Sequence, residues 1–233
     1  MLDQWTQWMD AAGTVLEALL LCRVLLLRLF RPYTFITLYC VLSVLFDSLS
    51  WSQGWTTGPA QHAAIIQPFF LAFLAPFTAW EAFEEVAAQV AKLRRSQLGR
   101  LVSGVLLTLV LLLLTFASSD VPDDGWASAA IIGLVCLLGF ASASLAFLWF
   151  TWRSIRAEKI GLTNNTVVWT VFFIGNNLLA VVNCFLVMLP ESARSVSEAG
   201  ILVLQCLDIG LVCWCIYKLK RSAKNLVSTV FGE

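Results

Sequence analysis

The sequence predicts an all-α protein, a single-domain bundle of seven transmembrane helices over residues 1–233, N-terminus outside and C-terminus inside. Three observations lead there. Hydrophobic residues make up 59% of the chain and charged residues 13%, where soluble domains average roughly 45–50% apolar. Seven apolar runs, each near the roughly 20 residues a bilayer core requires, consume most of the chain and leave no room for a soluble domain. Lys and Arg gather at alternate boundaries of those runs, and the positive-inside rule then sets the orientation.

Residues 1–10 are polar, with Trp5 and Trp8 at interfacial spacing and only Asp3 and Asp10 charged. They lack the basic stretch and small-residue cleavage site of a signal peptide, so the first apolar run is expected to stay as a helix. Helix one is expected over 11–31, with Glu17 in its outer third, Arg23 near its middle and Arg28 and Arg31 at its inner end, where long stems reach the interface. Pro32 turns the chain into helix two, 33–51, whose Ser43, Asp47 and Ser50 share one face. Trp51 and Trp55 mark the outer interface.

Helix three, 61–93, carries more polarity into the membrane than any other. Gln67, Leu71, Leu74, Thr78, Glu81 and Glu85 fall on one face, and Pro68 and Pro76 interrupt it. Its inner turns hold Glu81, Glu84, Glu85, Lys92, Arg94 and Arg95. Helix four, 98–118, is almost pure Leu and Val, which suits a helix facing lipid. Asp120, Asp123 and Asp124 follow outside, and helix five, 125–153, bears Gly139, Ser142, Ala143 and Ala146 in a stripe that lets helices approach closely. A basic inner loop leads to helix six, 163–189, with Asn176, Asn177 and Asn183. Helix seven, 196–218, sets Gln205 and Asp208 on one face near the midplane. Outer segments hold only Arg194 as a cation, against Arg28, Arg31, Arg94, Arg95, Arg153, Arg156, Lys218, Lys220 and others inside.

An ionisable group in hydrocarbon costs roughly 2.5–3.5 kcal/mol on insertion scales, so it faces the bundle interior with a partner. Arg23, Asp47, Glu81 and Asp208 qualify. Counted from the helix ends, Arg23 and Asp208 stand at similar depth, and the first and last helices of a closed ring are neighbours. An Arg23–Asp208 ion pair is expected, as a structural clamp or as part of a ligand or ion site. Gln67, Thr78 and Glu81 either line a polar cavity open to the cytoplasm or, in the case of Glu81, begin the solvated part of a long helix. Asn176 and Asn183 either bind a polar ligand or join neighbouring helices. The candidate ligand-binding set is therefore Arg23, Asp47, Gln67, Thr78, Glu81, Asn176, Asn183, Gln205 and Asp208.

No catalytic set, metal site or cofactor is expected. His62 is the only histidine, which excludes bis-histidine haem ligation and multi-histidine zinc sites. The seven cysteines all lie in apolar runs and act as small apolar filler. Cys213 and Cys215 point about 200° apart on a helix and share no ion. A retinal protein needs a lysine near the middle of its last helix, where this chain has Asp208. With zero net charge, nothing speaks for nucleic acid.

The turn LLLRLFRPYTFITLY at residues 25–39, the inner-end glutamates of helix three and the basic KLRRSQLGR after them carry a likeness. With them the chain resembles a group of small uncharacterised seven-helix membrane proteins common in acidobacterial genomes. That resemblance implies topology and carries no activity. The expected function is a non-enzymatic module of the cell inner membrane, sensor-like or scaffolding, in contact with the lipid bilayer and with a membrane-protein partner or a second copy of itself. The alternative is a small-solute or proton-coupled transporter with a central polar cavity. The ligand is not identified.

Overall fold

The computed structural model describes residues 2–52, 58–89, 91–118, 125–158, 162–220 and 227–228. These form seven α-helices: α1 (Leu2–Leu26), α2 (Thr34–Ser52), α3 (Gly58–Gln89), α4 (Ala91–Ser118), α5 (Gly125–Glu158), α6 (Asn164–Val187) and α7 (Arg194–Lys218). A residue pair, Leu162–Thr163 (β1), runs antiparallel to Val227–Ser228 (β2). Ala129–Ala157 in α5, all of α6 and all of α7 are long and apolar enough to cross a membrane. Thr34–Leu49 in α2 and Gly99–Leu114 in α4 are shorter apolar stretches.

Helix α1 neighbours α2 and α7, α2 neighbours α3, α3 neighbours α5, α5 neighbours α6, and α6 neighbours α7. Six helices thus close a ring, crossed by contact between α3 and α6, and α4 lies against α5 and α3. On α4, Val102, Leu106, Leu107, Val110 and Leu113 stay exposed, while Leu101, Thr108 and Leu112 are buried. Small residues bring α4 onto α5. A Cβ on Gly139 would come within 2.3 Å of Thr108 Cγ2, and one on Gly104 within 2.9 Å of the Ala143 Cβ.

The end of the bundle that holds the α1–α2 turn and the last turn of α7, here the tail end, is packed solid with apolar side chains. Trp169 stands in its middle, with ring centroids 6.0 Å from Tyr33, 5.9 Å from Phe172 and 6.1 Å from Phe173. Two polar-lined cavities lie toward the opposite or head end, where α1 and α7 begin.

Helix α1 begins at Leu2 rather than at residue 11 and ends at Leu26 rather than at residue 31. Its stop is a Schellman closure: the Leu29 N–H donates to Val24 O at 2.9 Å and the Arg28 N–H to Leu25 O at 3.0 Å. Leu29 and Val24 are both fully buried, giving the apolar contact that accompanies such a cap. The closure requires a left-handed residue, and Arg28 fills it with φ 55°. An L side chain there is strained by roughly 1–2 kcal/mol. Arg28→Gly is expected to stabilise the fold by roughly 0.5–1 kcal/mol, because glycine loses more freedom on folding and returns part of the gain. A raised denaturation midpoint in detergent checks this.

Helix α2 starts without a short polar side chain of its own, since Tyr33 occupies the position before it. Glu81 of α3 takes over. Its carboxylate accepts from the Phe35 N–H at 3.1 Å and the Ile36 N–H at 2.8 Å, with the Thr34 N–H also directed at it. These are orphan donors that every helix start exposes, and a carboxylate there also complements the helix dipole. Helix α6 is capped locally, the Thr163 hydroxyl accepting from the Thr166 N–H.

The chain leaving α7 is clamped. Asn165, fully buried, donates to Lys220 O at 2.7 Å and accepts from the Lys220 N–H at 3.0 Å. Asn164 donates to Lys218 O at 2.8 Å, and Leu219 between them is fully buried.

Candidate functional site

Two contacts set the register of α1 on α7. Near the head, Gln205 Nε2 donates to Asp10 Oδ1 at 2.8 Å; at the tail, Arg23 Nη2 donates to Leu219 O at 3.1 Å. The helices therefore run parallel, and Asp208 is level with Gly13, which shares a cavity with it. Arg23 lies roughly 16 Å further along, at 1.5 Å per residue over the eleven residues from Asp208 to Leu219.

The expected Arg23–Asp208 ion pair does not form. Helix α1 starts and stops earlier than its apolar run suggests, so Arg23 sits in the last turn of α1 and not at mid-depth. Its guanidinium instead meets the carbonyl that ends α7, where the helix dipole is negative. Its Nε is buried and has no hydrogen-bond partner.

Polar side chains collect toward the head end, lining two adjoining cavities. The larger cavity, about 390 Å³, is lined by Tyr39 of α2, Thr78 of α3, Asn176, Asn177 and Asn183 of α6, and Gln205 and Asp208 of α7. Apolar side chains, among them Leu71, Leu137 and Leu204, complete its wall. A smaller cavity of about 130 Å³ lies against it, lined by Asp10, Thr14 and Glu17 of α1, Asp47 of α2, and the same Gln205 and Asp208. Those last two residues are the partition between the cavities.

Hydrogen bonds hold much of this wall in place. Ser43 donates to Glu17 at 2.7 Å, Gln67 to Asp47 at 2.9 Å, and Asn176 to the Tyr39 hydroxyl at 2.9 Å. Thr78 spends its hydroxyl on Ala75 O at 3.0 Å, and Asn177 its amide on Phe173 O at 2.6 Å. Gln205 is only half satisfied. Its Nε2 is used on Asp10, and its Oε1 is buried without a partner.

Of the residues singled out from sequence, Asp47, Thr78, Asn176, Asn183, Gln205 and Asp208 line these two cavities. Gln67 supports them through Asp47. Arg23 and Glu81 belong to neither of these two cavities: Arg23 caps the tail of α7, and Glu81 caps the start of α2. The side chain of Glu85, placed on the Glu81 face, lies outside the described residues.

Among the polar wall residues, Tyr39, Asn177, Asp10, Thr14 and Glu17 are missing from the candidate set. A signal for the acids is present in the sequence: Asp10, Thr14 and Glu17 recur at helical spacing on one stripe of α1. It goes unread when residues 1–10 are assigned to a polar tail.

Among the described residues no group of three or more His, Cys, Asp or Glu side chains stands close enough to hold a metal ion. Comparison with family models, with curated proteins and with solved structures finds no match for this chain, so its own geometry carries the functional argument.

Proposed function

We propose that this is a seven-span, non-enzymatic protein of the cell inner membrane that binds a small polar solute in the head-end chamber and carries it across the bilayer. One observation carries the proposal: Tyr39, Asn176, Asn177, Asn183, Gln205 and Asp208, drawn from three helices, converge on a single cavity of about 390 Å³. A scaffold needs intramembrane polar groups only in pairs. A void of this size, walled mostly by apolar side chains with a few polar ones, fits the description of small-molecule sites.

The exposed Leu, Val and Phe side chains along the helices support a lipid surroundings for all seven. Arg28, Arg31, Arg153, Arg156, Lys218 and Lys220 lie toward the tail end, against Arg194 at the head, which supports a cytoplasmic tail end and an outside N-terminus. The chamber then lies nearer the outer face. A sensor-like module is the second reading, favoured by one feature: α7 bears chamber residues in its middle and the clamped segment at its end.

The protein in lipid nanodiscs, screened by thermal shift against small polar metabolites, is expected to show solute-specific stabilisation that Asn183→Leu removes. Stabilisation insensitive to Asn183→Leu, or none at all, would count against the chamber. Uptake of the stabilising solute into proteoliposomes separates a carrier from a sensor.

A further inference from the structure

Four exposed cations gather at one corner of the tail end. Arg28 and Arg31 follow the end of α1, and Lys218 and Lys220 close α7 and the segment after it. The two helices are neighbours, and the Arg23 guanidinium on Leu219 O holds their ends side by side. Leu219 lies between the two lysines, and Arg28 comes little more than one helical turn after Arg23.

No ion pair among the described residues involves any of the four. The carboxylates described at this end, Glu81 and Glu84, are on α3, whose neighbours are α2, α4, α5 and α6. Glu81 is buried besides, and its oxygens are used on the Phe35 and Ile36 N–H groups. Like charges held close repel one another, so the corner favours an anion from outside the chain.

The backbone fixes these cations in place, and at one position with strain. Arg28 takes the left-handed conformation, φ 55°, that glycine adopts freely. A strained residue whose side chain is an exposed charge points to a use for that charge. On the other side of the corner, Asn164 holds Lys218 O and Asn165 holds both backbone groups of Lys220, leaving the two ammonium groups outside these bonds.

The surface next to the cations is apolar. Leu25, Leu26 and Phe30 on one side and Tyr217 on the other are exposed, and Lys218 Nζ stands 5.4 Å from the centre of the Tyr217 ring. Cations at the end of two helices with aliphatic and aromatic side chains beside them match the two halves of a phospholipid, phosphate and acyl chain. A soluble anion would use only the first half.

We infer that the corner where α1 and α7 end binds an acidic phospholipid, its phosphate among Arg28, Arg31, Lys218 and Lys220 and its acyl chains along the exposed sides of the two helices. This rests on the membrane setting proposed above and is independent of the head-end chamber. The arginines offer paired N–H groups to the phosphate oxygens, and the lysines add charge.

Native mass spectrometry of the full chain in detergent, titrated with phosphatidylglycerol or phosphatidylcholine of the same acyl chains, tests it. A cation near an anionic lipid contributes roughly fivefold in affinity. Phosphatidylglycerol is expected to bind at least tenfold more tightly than phosphatidylcholine. Arg31→Gln, Lys218→Gln and Lys220→Gln together are expected to abolish that preference, whereas Arg153→Gln with Arg156→Gln, at exposed cations of the same end on α5, leaves it unchanged. Arg28→Gly is expected to raise the denaturation midpoint and yet weaken phosphatidylglycerol about fivefold. A turn with a purely structural role would give only the first change. Glycerol 3-phosphate at millimolar concentration is expected not to displace the lipid. Equal binding of the two lipids, a preference that survives the triple variant, or an equal loss in the α5 variant overturns the inference. Displacement by glycerol 3-phosphate would make this a site for a soluble phosphate and overturns the lipid assignment. A chain that stays monomeric in buffer without detergent or lipid would instead remove the membrane setting itself.

Discussion

Replacing Glu81 with Leu is expected to destabilise the protein by about 3 kcal/mol, although Glu81 lines neither of the two cavities. The carboxylate is the acceptor for the Phe35 and Ile36 N–H groups, 46 and 45 residues away in sequence. Leucine fills a similar volume but leaves these donors unpaired, the Ile36 bond being buried, and removes a negative charge from the positive end of α2. Glu81→Gln keeps an acceptor oxygen and is expected to lose only about 1 kcal/mol. The midpoints of thermal unfolding in detergent for the two variants measure the difference. Equal midpoints would show that α2 does not depend on α3 for its cap.

The second large effect is expected at the opposite side of the tail core. Asn165→Leu removes both hydrogen bonds to Lys220 and loosens the segment that keeps Leu219 buried. Two such bonds contribute about 2 kcal/mol together. The result is local: roughly thirty-fold more frequent opening after α7, with the helix itself left folded. Hydrogen exchange at the Lys220 amide reads it directly. Faster exchange confined to the end of α7 supports the clamp, whereas faster exchange throughout α6 would mean that Asn165 holds the core.

How much of this was legible in the sequence depends on the range of the interaction. The exposed apolar surface of α4 follows from composition, and the close approach of α5 through Gly139 and Ala143 follows from small residues at helical spacing. Both are properties of single helices. The neighbouring of α1 and α7 was also within reach, but their register was not. Helix α1 continues through polar residues before its apolar run and stops at a cap made by Arg28, which is no usual left-handed residue. Those two displacements move Arg23 from mid-depth to the last turn.

Glu81 defeats sequence reasoning for a different cause. Its partner is a backbone, and backbone donors leave no trace in the residue types that face them. Of the chamber, the amides of α6 and the Gln205–Asp208 pair could be picked out because polar side chains in long apolar runs stand out. Asp10 reads from sequence as part of a polar tail and Glu17 as the outer third of the first apolar run, and Tyr39 among apolar neighbours is ordinary in a core. Only the ring of helices shows that they face one another.

Packing that is dense at one end of a ring and hollow at the other has a mechanical consequence. The ends of α1 and α7 and the start of α2 are fixed together by Arg23, Asn165 and the apolar side chains around Trp169, and so serve as a fulcrum. Gln205 lies fourteen residues along α7 from Leu219, roughly 21 Å on a regular helix. A tilt of about 5° around that fulcrum displaces Gln205 by roughly 2 Å, comparable to the gap a small molecule needs to pass between side chains. Dense packing at one end and cavities at the other thus come from a single arrangement of helices.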